Sequence, residues 1–406
     1  MNEINGKLFE HVAATPANEK WNNMIKRESS IYSRNGDLRS EFARDYTRIL
    51  HCYAYKRLKH KTQVFFSPTN DHICTRIEHV SHVESISNTI ATYFGLNTEL
   101  TKAIAIAHDL GHSPFGHAGE KILNEISKRD IGETFWYEKN GVYLVDNIEL
   151  LEDDKGKLQN LNLTYAVRDG IISHCGEIDE NSLKPREEAI NLSAYTKPNE
   201  YAPYTWEGCV IKISDKISYI GRDIEDALSL KLLDENKIQE LKIILGMEAS
   251  SALNNTKIIN DLIVDICNNS TPEKGLCFSN EKLSLINNIK RYNYENIYLN
   301  PRMDAANEYF RVVINRIYNT LKAMYSNENS INKKFEEYEK YYPQVISQFR
   351  EWLNRYWSLN KRENSNLSNR VIFDLNEKDY YKAIIEFIAG MTDNFAMDVY
   401  NEIIRF

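Results

Sequence analysis

IAIAHDLGHSPFGHAGE, residues 104–120, decides how the rest of the chain is read. An apolar, Ala-rich helical run delivers the adjacent pair His108-Asp109, and a loop punctuated by Gly and Pro follows with His112, His117 and Glu120. Three histidines and two carboxylates within thirteen residues are more chemistry than a helix end needs for its own stability. Gly111, Gly116 and Gly119 remove side-chain bulk where backbone must come near a phosphate or a metal. This stretch is the expected reaction centre.

Upstream, Val80, Val83, Ile86, Ile90 and Phe94 recur at steps of three or four, an amphipathic helix ending near Gly95 with Arg76 and His79 at its start. Leu100, Ala103, Ile104 and Ala107 then build the helix that ends in His108-Asp109. Antiparallel packing of the two would bring His79 to the His-Asp pair. Downstream, a helix from 206 to about 230 has the core stripe Trp206, Cys209, Val210, Ile213, Ile217 and Ile220. Asp215, Tyr219 and Asp223 fall on a neighbouring stripe, flanked by Lys216 and Arg222. Alone this is a common helix surface, but it supplies the fourth group that the first cluster lacks.

One His, an adjacent His-Asp pair and a distant Asp form a nitrogen and oxygen donor set. That set suits Mg2+, Mn2+ or Fe2+ better than the thiolate-rich sets of structural zinc. Four protein ligands leave octahedral positions for water and a substrate oxygen, the arrangement of a hydrolytic Lewis acid. His117 and Glu120, three apart, share a helical face, so the carboxylate can fix the imidazole tautomer and favour proton donation.

Composition limits the alternatives. At 406 residues, with 42% hydrophobic and 27% charged residues, one large or two intimately packed domains are expected. No run of eighteen apolar residues occurs, and the start MNEINGKLFEHV lacks a signal-peptide pattern, so a cytoplasmic protein with no membrane span is expected. The net charge of -8 argues against a dedicated nucleic-acid binder, though a basic pocket inside an acidic shell stays open. Six scattered cysteines form no C-x-x-C pair, so reduced, mostly buried thiols are expected. With 9 prolines and 16 glycines, and apolar residues at helical spacing, the fold class is all-α.

The chain divides into an N-terminal helical segment (1–66) contributing to the site, a central core (67–230) and a C-terminal helical region (231–406) packed on it. Five basic residues between Arg39 and Arg57 read as solvated helix surface or, less often, as a phosphate-facing wall. A turn is expected at 67–71, an exposed turn at 152–157 and a short helix closed by Gly176, whose His174 reads as a capping or core histidine. Residues 184–203 read as a long mobile loop. Further amphipathic helices cover 258–267 and 305–324, and 327–369 reads as a peripheral helical layer.

His79, His108-Asp109 and Asp215 match the H...HD...D pattern of the HD phosphohydrolase superfamily. The flanking text resembles the dGTPase-type deoxynucleoside triphosphate triphosphohydrolases within it. DLRSEFARDYTRILHCYAYKRLKHKTQVF, DHICTRIEH, AHDLGHSPFGHAGE, LNLTYAVRDGI, SDKISYIGRDIEDAL, YNYENIYLNP and IAGMTDNFA each resemble that family's segments, in that order. An HD pair alone is weak, whereas the ordered set is specific.

The resemblance implies an HD-domain helical core with additional peripheral helices. It implies one divalent ion, Mg2+ or Mn2+ with Fe2+ or Co2+ as alternatives, on His79, His108, Asp109 and Asp215. His117 would be the catalytic histidine and Glu120 its partner, with His112 beside them. Arg76, and Lys216 with it, would contact the triphosphate. Tyr219 would stack under the sugar where a 2'-hydroxyl would clash, and Gln63 and Asp223 would meet the 3'-hydroxyl. The implied reaction cleaves a dNTP, dGTP by default, between the α-phosphorus and the 5'-oxygen, releasing deoxynucleoside and triphosphate. A second nucleotide or single-stranded DNA as regulator, and a homo-oligomer, often a hexamer, are implied likewise.

The chain departs from the pattern in three places. Asp146-Asn147 is offered where many relatives carry His-Asn, His82 stands where an acid is frequent and reads as exposed, and Lys216 is not the commonest residue at its position. The alternatives are an HD nucleotidase or alarmone hydrolase, and a nucleotide-sensing module with little turnover. The His117-Glu120 pair argues against the sensing module.

Overall fold

In the computed structural model, which describes residues 7–30, 36–66, 70–176, 181–326, 331–356 and 376–405, helices pack around one whose C-terminal half is buried on every side. Helix α1 (Glu41–His51) starts at Ser40, whose hydroxyl accepts the Ala43 N–H at 3.1 Å. α2 (Arg76–Phe94) ends at Gly95, which takes φ 76°, a left-handed cap natural to glycine. α3 (Thr98–Ala107) starts at Asn97, whose side-chain oxygen accepts the Glu99 and Leu100 N–H groups. Leu100, Ala103, Ile104, Ala105, Ile106 and Ala107 are all buried, so the C-terminal half of α3 is apolar all round and occupies the centre, while Glu99 and Lys102 keep its start at the surface.

The chain then returns repeatedly to α3. α4 (Gly116–Asp130) leaves the histidine loop, followed by α5 (Tyr137–Tyr143), a hairpin of β1 (Leu150–Glu152) and β2 (Leu158–Asn160), and α6 (Tyr165–Ser173). α7 (Trp206–Ser229) packs on α2, α3 and α6, while α1 and α2 flank α3. From the C-terminal region, α8 (Pro301–Lys322) and α9 (Glu377–Ala389) lie on α4, and α10 (Asp393–Ile404) packs on α8. One apolar core joins α1, α3, α4, α6 and α8 to α10, and a second joins one face of α2 and the stripe of α7 to the helices Asn255–Asn269 and Asn280–Asn293. Among the described residues there are seventeen α-helices against one antiparallel hairpin, with Leu150 opposite Asn160, and no helix is long and apolar enough to cross a membrane. The fold is all-α.

Several local expectations are refined. The exposed turn at 152–157 is the tip of the hairpin. Residues 184–203 have only a short 3-10 turn, Leu192–Ala194, yet they are tied down and not the free loop expected. Arg186 bonds Asp169 at 2.5 Å and the Ala202 carbonyl at 2.7 Å, and Leu192 and Tyr195 are buried. The basic residues of 39–57 form neither a solvated face nor a phosphate wall as a group. Arg39 pairs with Asp37, Arg57 with Glu149, and Arg48 donates to the carbonyls of Leu161 and Asn160. All six cysteines are free thiols, three of them buried. Residues 67–69 of the expected turn, and 327–330 and 357–369 of the expected peripheral layer, lie outside the described residues; Ile331–Glu339 and Pro343–Tyr356 between them are helical.

Glu386 of α9 tests the packing of the C-terminal core. It is buried, one carboxyl oxygen has no hydrogen-bond partner, and burial pushes its carboxyl up to about 7 from 4.5. A folded-state value above the unfolded one gives a contribution complete below about 4.5 and lost as pH rises through about 7. Glu386→Gln, an isostere of the protonated form, should therefore raise Tm by a few degrees at pH 8, on the order of 2 kcal/mol, and leave it nearly unchanged at about pH 4, below the unfolded-state value. Equal shifts at both pH values would contradict this account of Glu386.

Candidate active site

Packing α2 antiparallel to α3 brings the first turn of one against the last turn of the other, and the middle of α7 closes the third side. His79 Nε2 lies 2.9 Å from Asp215 Oδ1, and the His79 and His108 rings are 5.4 Å apart. His108 Nε2 is 3.4 Å from Asp109 Oδ1 and 4.0 Å from Asp215 Oδ1. Ligand-type atoms of His79, His108 and Asp215 all fall within 4.8 Å of one another, and so do those of His108, Asp109 and His174.

Hydrogen bonding fixes which atoms face inward. His108 Nδ1 lies 2.7 Å from the Ala105 carbonyl, to which only a protonated nitrogen can donate. The lone pair is then on Nε2, which is buried and has no hydrogen-bond partner. An acceptor so stranded costs about 1–3 kcal/mol unless a cation meets it, and a helix-end carbonyl holding the other nitrogen is the usual support for a ligating imidazole. This orphaned atom, beside two carboxylates and a second imidazole, fits a divalent ion. Asp109 is held from both sides: Arg76 Nη1 donates to Oδ2 at 2.7 Å, and His112 Nε2 lies 3.1 Å from Oδ1. Burial opposes ionisation of Asp109, but its polar surroundings of His108, the Arg76 guanidinium and the hydrogen-bonded His112 keep its carboxyl well below the usual range. Asp215 is lowered likewise, against burial, by its hydrogen bond to His79. Burial and the charge of Arg76 hold His112 well below an ordinary imidazole, so it is neutral.

The loop after Asp109 turns at Phe115, a non-glycine residue in the left-handed region at φ 63°, and α4 begins. His117 stands in its first turn with a side chain 72% exposed, Nδ1 3.1 Å from Glu120 Oε2. The other oxygen of Glu120 accepts the Tyr137 N–H at 3.0 Å, so the carboxylate is fixed between α4 and α5. The His112 and His117 rings are 5.4 Å apart. The glycines of this loop serve the protein more than a ligand. A Cβ at Gly111 would sit 1.9 Å from the Tyr137 carbonyl oxygen, and one at Gly119 1.9 Å from that of Pro114. Gly116 alone faces Gln63 and Arg76, at 3.3 and 3.4 Å from such a Cβ.

The residues expected at the substrate are more dispersed in their bonding. Arg76 is fully buried, with Nη1 on Asp109 and Nη2 on the Gln63 carbonyl at 3.3 Å, so it orients the cluster. Gln63 Oε1 is buried without a hydrogen-bond partner. Tyr219 lies on α7 between Asp215 and Asp223. Asp223 is buried and accepts a short hydrogen bond from the Tyr298 hydroxyl, and burial pushes its carboxyl up to about 6. Lys216 is 7% exposed, within α7 and not on an open wall. His82 is exposed. Asp146 is paired with Arg168 at 2.5 Å, and that arginine also reaches Glu28.

Three neighbours were not anticipated. The Tyr137 ring stacks on His112 at 3.6 Å and 19°, and its hydroxyl is 3.2 Å from His174 Nε2. His174 does cap α6, with Nδ1 2.7 Å from the Ile171 carbonyl, but its ring also stands 4.8 Å from that of His108. Burial drives its pKa down to about 4, so it is a neutral imidazole inside the cluster. Tyr298, from the aromatic segment at 292–301, reaches Asp223. The spacing of His174 before Gly176 was a visible signal, open to a cap or a ligand reading; Tyr137 and Tyr298 sit in no periodic pattern that points inward.

A buried imidazole and carboxylate cluster gathered from three helices, on an all-α scaffold, defines an HD-domain protein, and residues 76–220 match the HD domain family. Proteins called deoxyguanosinetriphosphate triphosphohydrolase-like align over nearly the whole chain. That of Caldanaerobacter subterraneus is 32% identical over 368 residues, covering 90% of this chain and 86% of its own. Those of Rickettsia felis and Rickettsia prowazekii are 32% and 31% identical, covering 90% and 93% of this chain and 92% and 94% of theirs. The chain belongs to the deoxyguanosinetriphosphate triphosphohydrolase-like family of HD-domain proteins.

Proposed function

We propose that the protein hydrolyses deoxynucleoside triphosphates, dGTP foremost, to deoxynucleoside and inorganic triphosphate. The observation that carries this reading is the juxtaposition of the buried His79, His108 and Asp109 and the half-buried Asp215 with an exposed, carboxylate-held His117. The names of the relatives point the same way. One divalent ion, Mg2+ or Mn2+, would be held by those four side chains and would polarise a phosphate oxygen.

The chain's own groups divide the remaining work. Arg76 and His112 hold Asp109 at fixed orientation, so little reorganisation is needed as charge develops on the α-phosphate. Glu120 binds Nδ1 of His117, so the proton for the departing 5'-oxygen would come from Nε2. Gln63 has a side-chain oxygen in want of a donor, which a sugar hydroxyl would supply. Tyr219, between the two acids of α7, would lie under the deoxyribose, with Asp223 and Tyr298 at its edge.

The test is product analysis with each dNTP and Mg2+ or Mn2+. Triphosphate and deoxynucleoside are expected in equal amounts; orthophosphate or pyrophosphate would instead favour a nucleotidase. dGTP should be preferred over GTP by roughly 10²-fold, the scale on which a pocket rejects one extra hydroxyl. Tyr219→Ala should narrow that ratio, and equal wild-type rates on the two substrates would refute the role given to Tyr219.

A further inference from the structure

Asp393 opens α10, a place where an acid commonly does no more than favour the helix dipole. Here that end is already capped, because the Thr392 hydroxyl accepts the Phe395 N–H at 3.2 Å. Both Asp393 oxygens instead leave the helix. Oδ1 accepts the Phe115 N–H at 2.9 Å, 278 residues away, and Oδ2 accepts the Thr62 N–H at 2.8 Å, 331 residues away. The carboxylate is 3% exposed, so these bonds are shielded from water.

Each tied amide flanks a residue of the site. Thr62 immediately precedes Gln63, whose carbonyl binds Arg76. Phe115, two before His117, takes a left-handed backbone that costs about 1–3 kcal/mol for a bulky residue and persists only where its surroundings hold it. Besides Asp393, the Phe310 ring of α8, stacked at 4.3 Å and 3°, and the edge of the Phe66 ring at 5.6 Å also hold it. Lys61 adds a parallel tie, its ammonium nitrogen bonding the carbonyls of His112 and, at 3.0 Å, Ala389 at the end of α9. The segments 61–63, 112–117 and 389–393 are thus laced together by side chains at one spot.

We infer that Asp393 is a positioning residue that sets the sugar-side segment carrying Gln63 and the loop carrying His117 at one fixed spacing across the site. The inference rests on the roles proposed for Gln63 and His117. A carboxylate can accept from both amides, whereas an amide of the same shape offers one acceptor and turns an NH2 toward the other N–H. Asp393→Asn therefore releases one of the two segments without removing volume.

The experiment is a double-mutant cycle on the full chain, with metal content and Tm measured in parallel. Asp393→Asn should keep its metal and lower kcat about 10² -fold, the effect of roughly 1 Å of misplacement, and should narrow the dGTP to GTP ratio. In the His117→Ala background the same change should cost clearly less than in the wild type, because the part of its effect that acts through His117 is gone and only the part that acts through Gln63 remains. Thr392→Ala, which uncaps the same helix end, should lower Tm and leave kcat and the ratio unchanged. Equal losses in both backgrounds, or the same kinetic defect in Thr392→Ala, would overturn the inference. Should Asp393→Asn not fold, Asp393→Glu, which keeps both acceptor oxygens but displaces them by one methylene, enters the same cycle with the same criteria. Release of orthophosphate by the wild type would refute the proposed reaction yet leave these ratios measurable, so the two failures are distinguishable.

Discussion

Asp109→Ala is expected to take bound divalent metal from one per chain to near zero and to lower hydrolysis by at least about 10³-fold, since polarisation of phosphate by an ion supplies several kcal/mol. The geometry adds a second effect. Asp109 is the partner of the Arg76 guanidinium, which is 1% exposed and 2.7 Å away. Removing one member of a buried pair leaves an uncompensated charge, a loss of about 3–5 kcal/mol, so this variant should also melt well below the wild type. Asp109→Asn separates the two effects, because its side-chain oxygen can still accept from Arg76. It should melt closer to the wild type than Asp109→Ala and still bind little metal. Elemental analysis finding unchanged metal in either variant would mean that the ligand set is wrongly assigned.

His117→Ala should behave in the opposite way. Loss of a general acid for a poor leaving group costs roughly 10²–10⁴-fold in kcat, yet metal content and Tm should stay near wild type. The reason is position: the imidazole is largely exposed and bonded to Glu120, outside the buried cluster. Glu120→Gln should cost less, because the Tyr137 N–H still holds the side chain at 3.0 Å. Unchanged turnover in His117→Ala would revive the reading of a nucleotide-binding module in which this histidine has no chemical task.

What could be read in the sequence was whatever repeats or caps locally. The helical period located α2, α3 and α7, and short connections implied that the start of α2 meets the end of α3, where His79 and His108 now lie with rings 5.4 Å apart. Asp215, on a stripe that alone reads as a common helix surface, could be joined to them only because it supplies the fourth group the cluster lacks and completes the H...HD...D pattern. The missed features depend on contacts distant in sequence. Nothing near Tyr137 indicates that its ring lies flat on His112, and nothing near Asp393 indicates two amides from other segments. Gly111 and Gly119 were attributed to ligand approach because a sequence cannot tell which neighbour comes close; here the neighbour is the chain's own carbonyls. Arg48 and Arg57 read as solvated surface, or less often as a phosphate wall, only because Leu161, Asn160 and Glu149, their partners, are about a hundred residues away.

The contrast in exposure between His117 and His108, 72% against 0%, also bears on how the catalytic cycle resets. A donor inside the dry cluster would need a chain of relays to recover its proton after each leaving group departs. Standing at the rim, the proposed donor would exchange directly with bulk water once product clears. On the proposed roles, the buried imidazoles would stay shielded while the proton donor is replenished from solvent, and no internal proton wire would be required for repeated turnover.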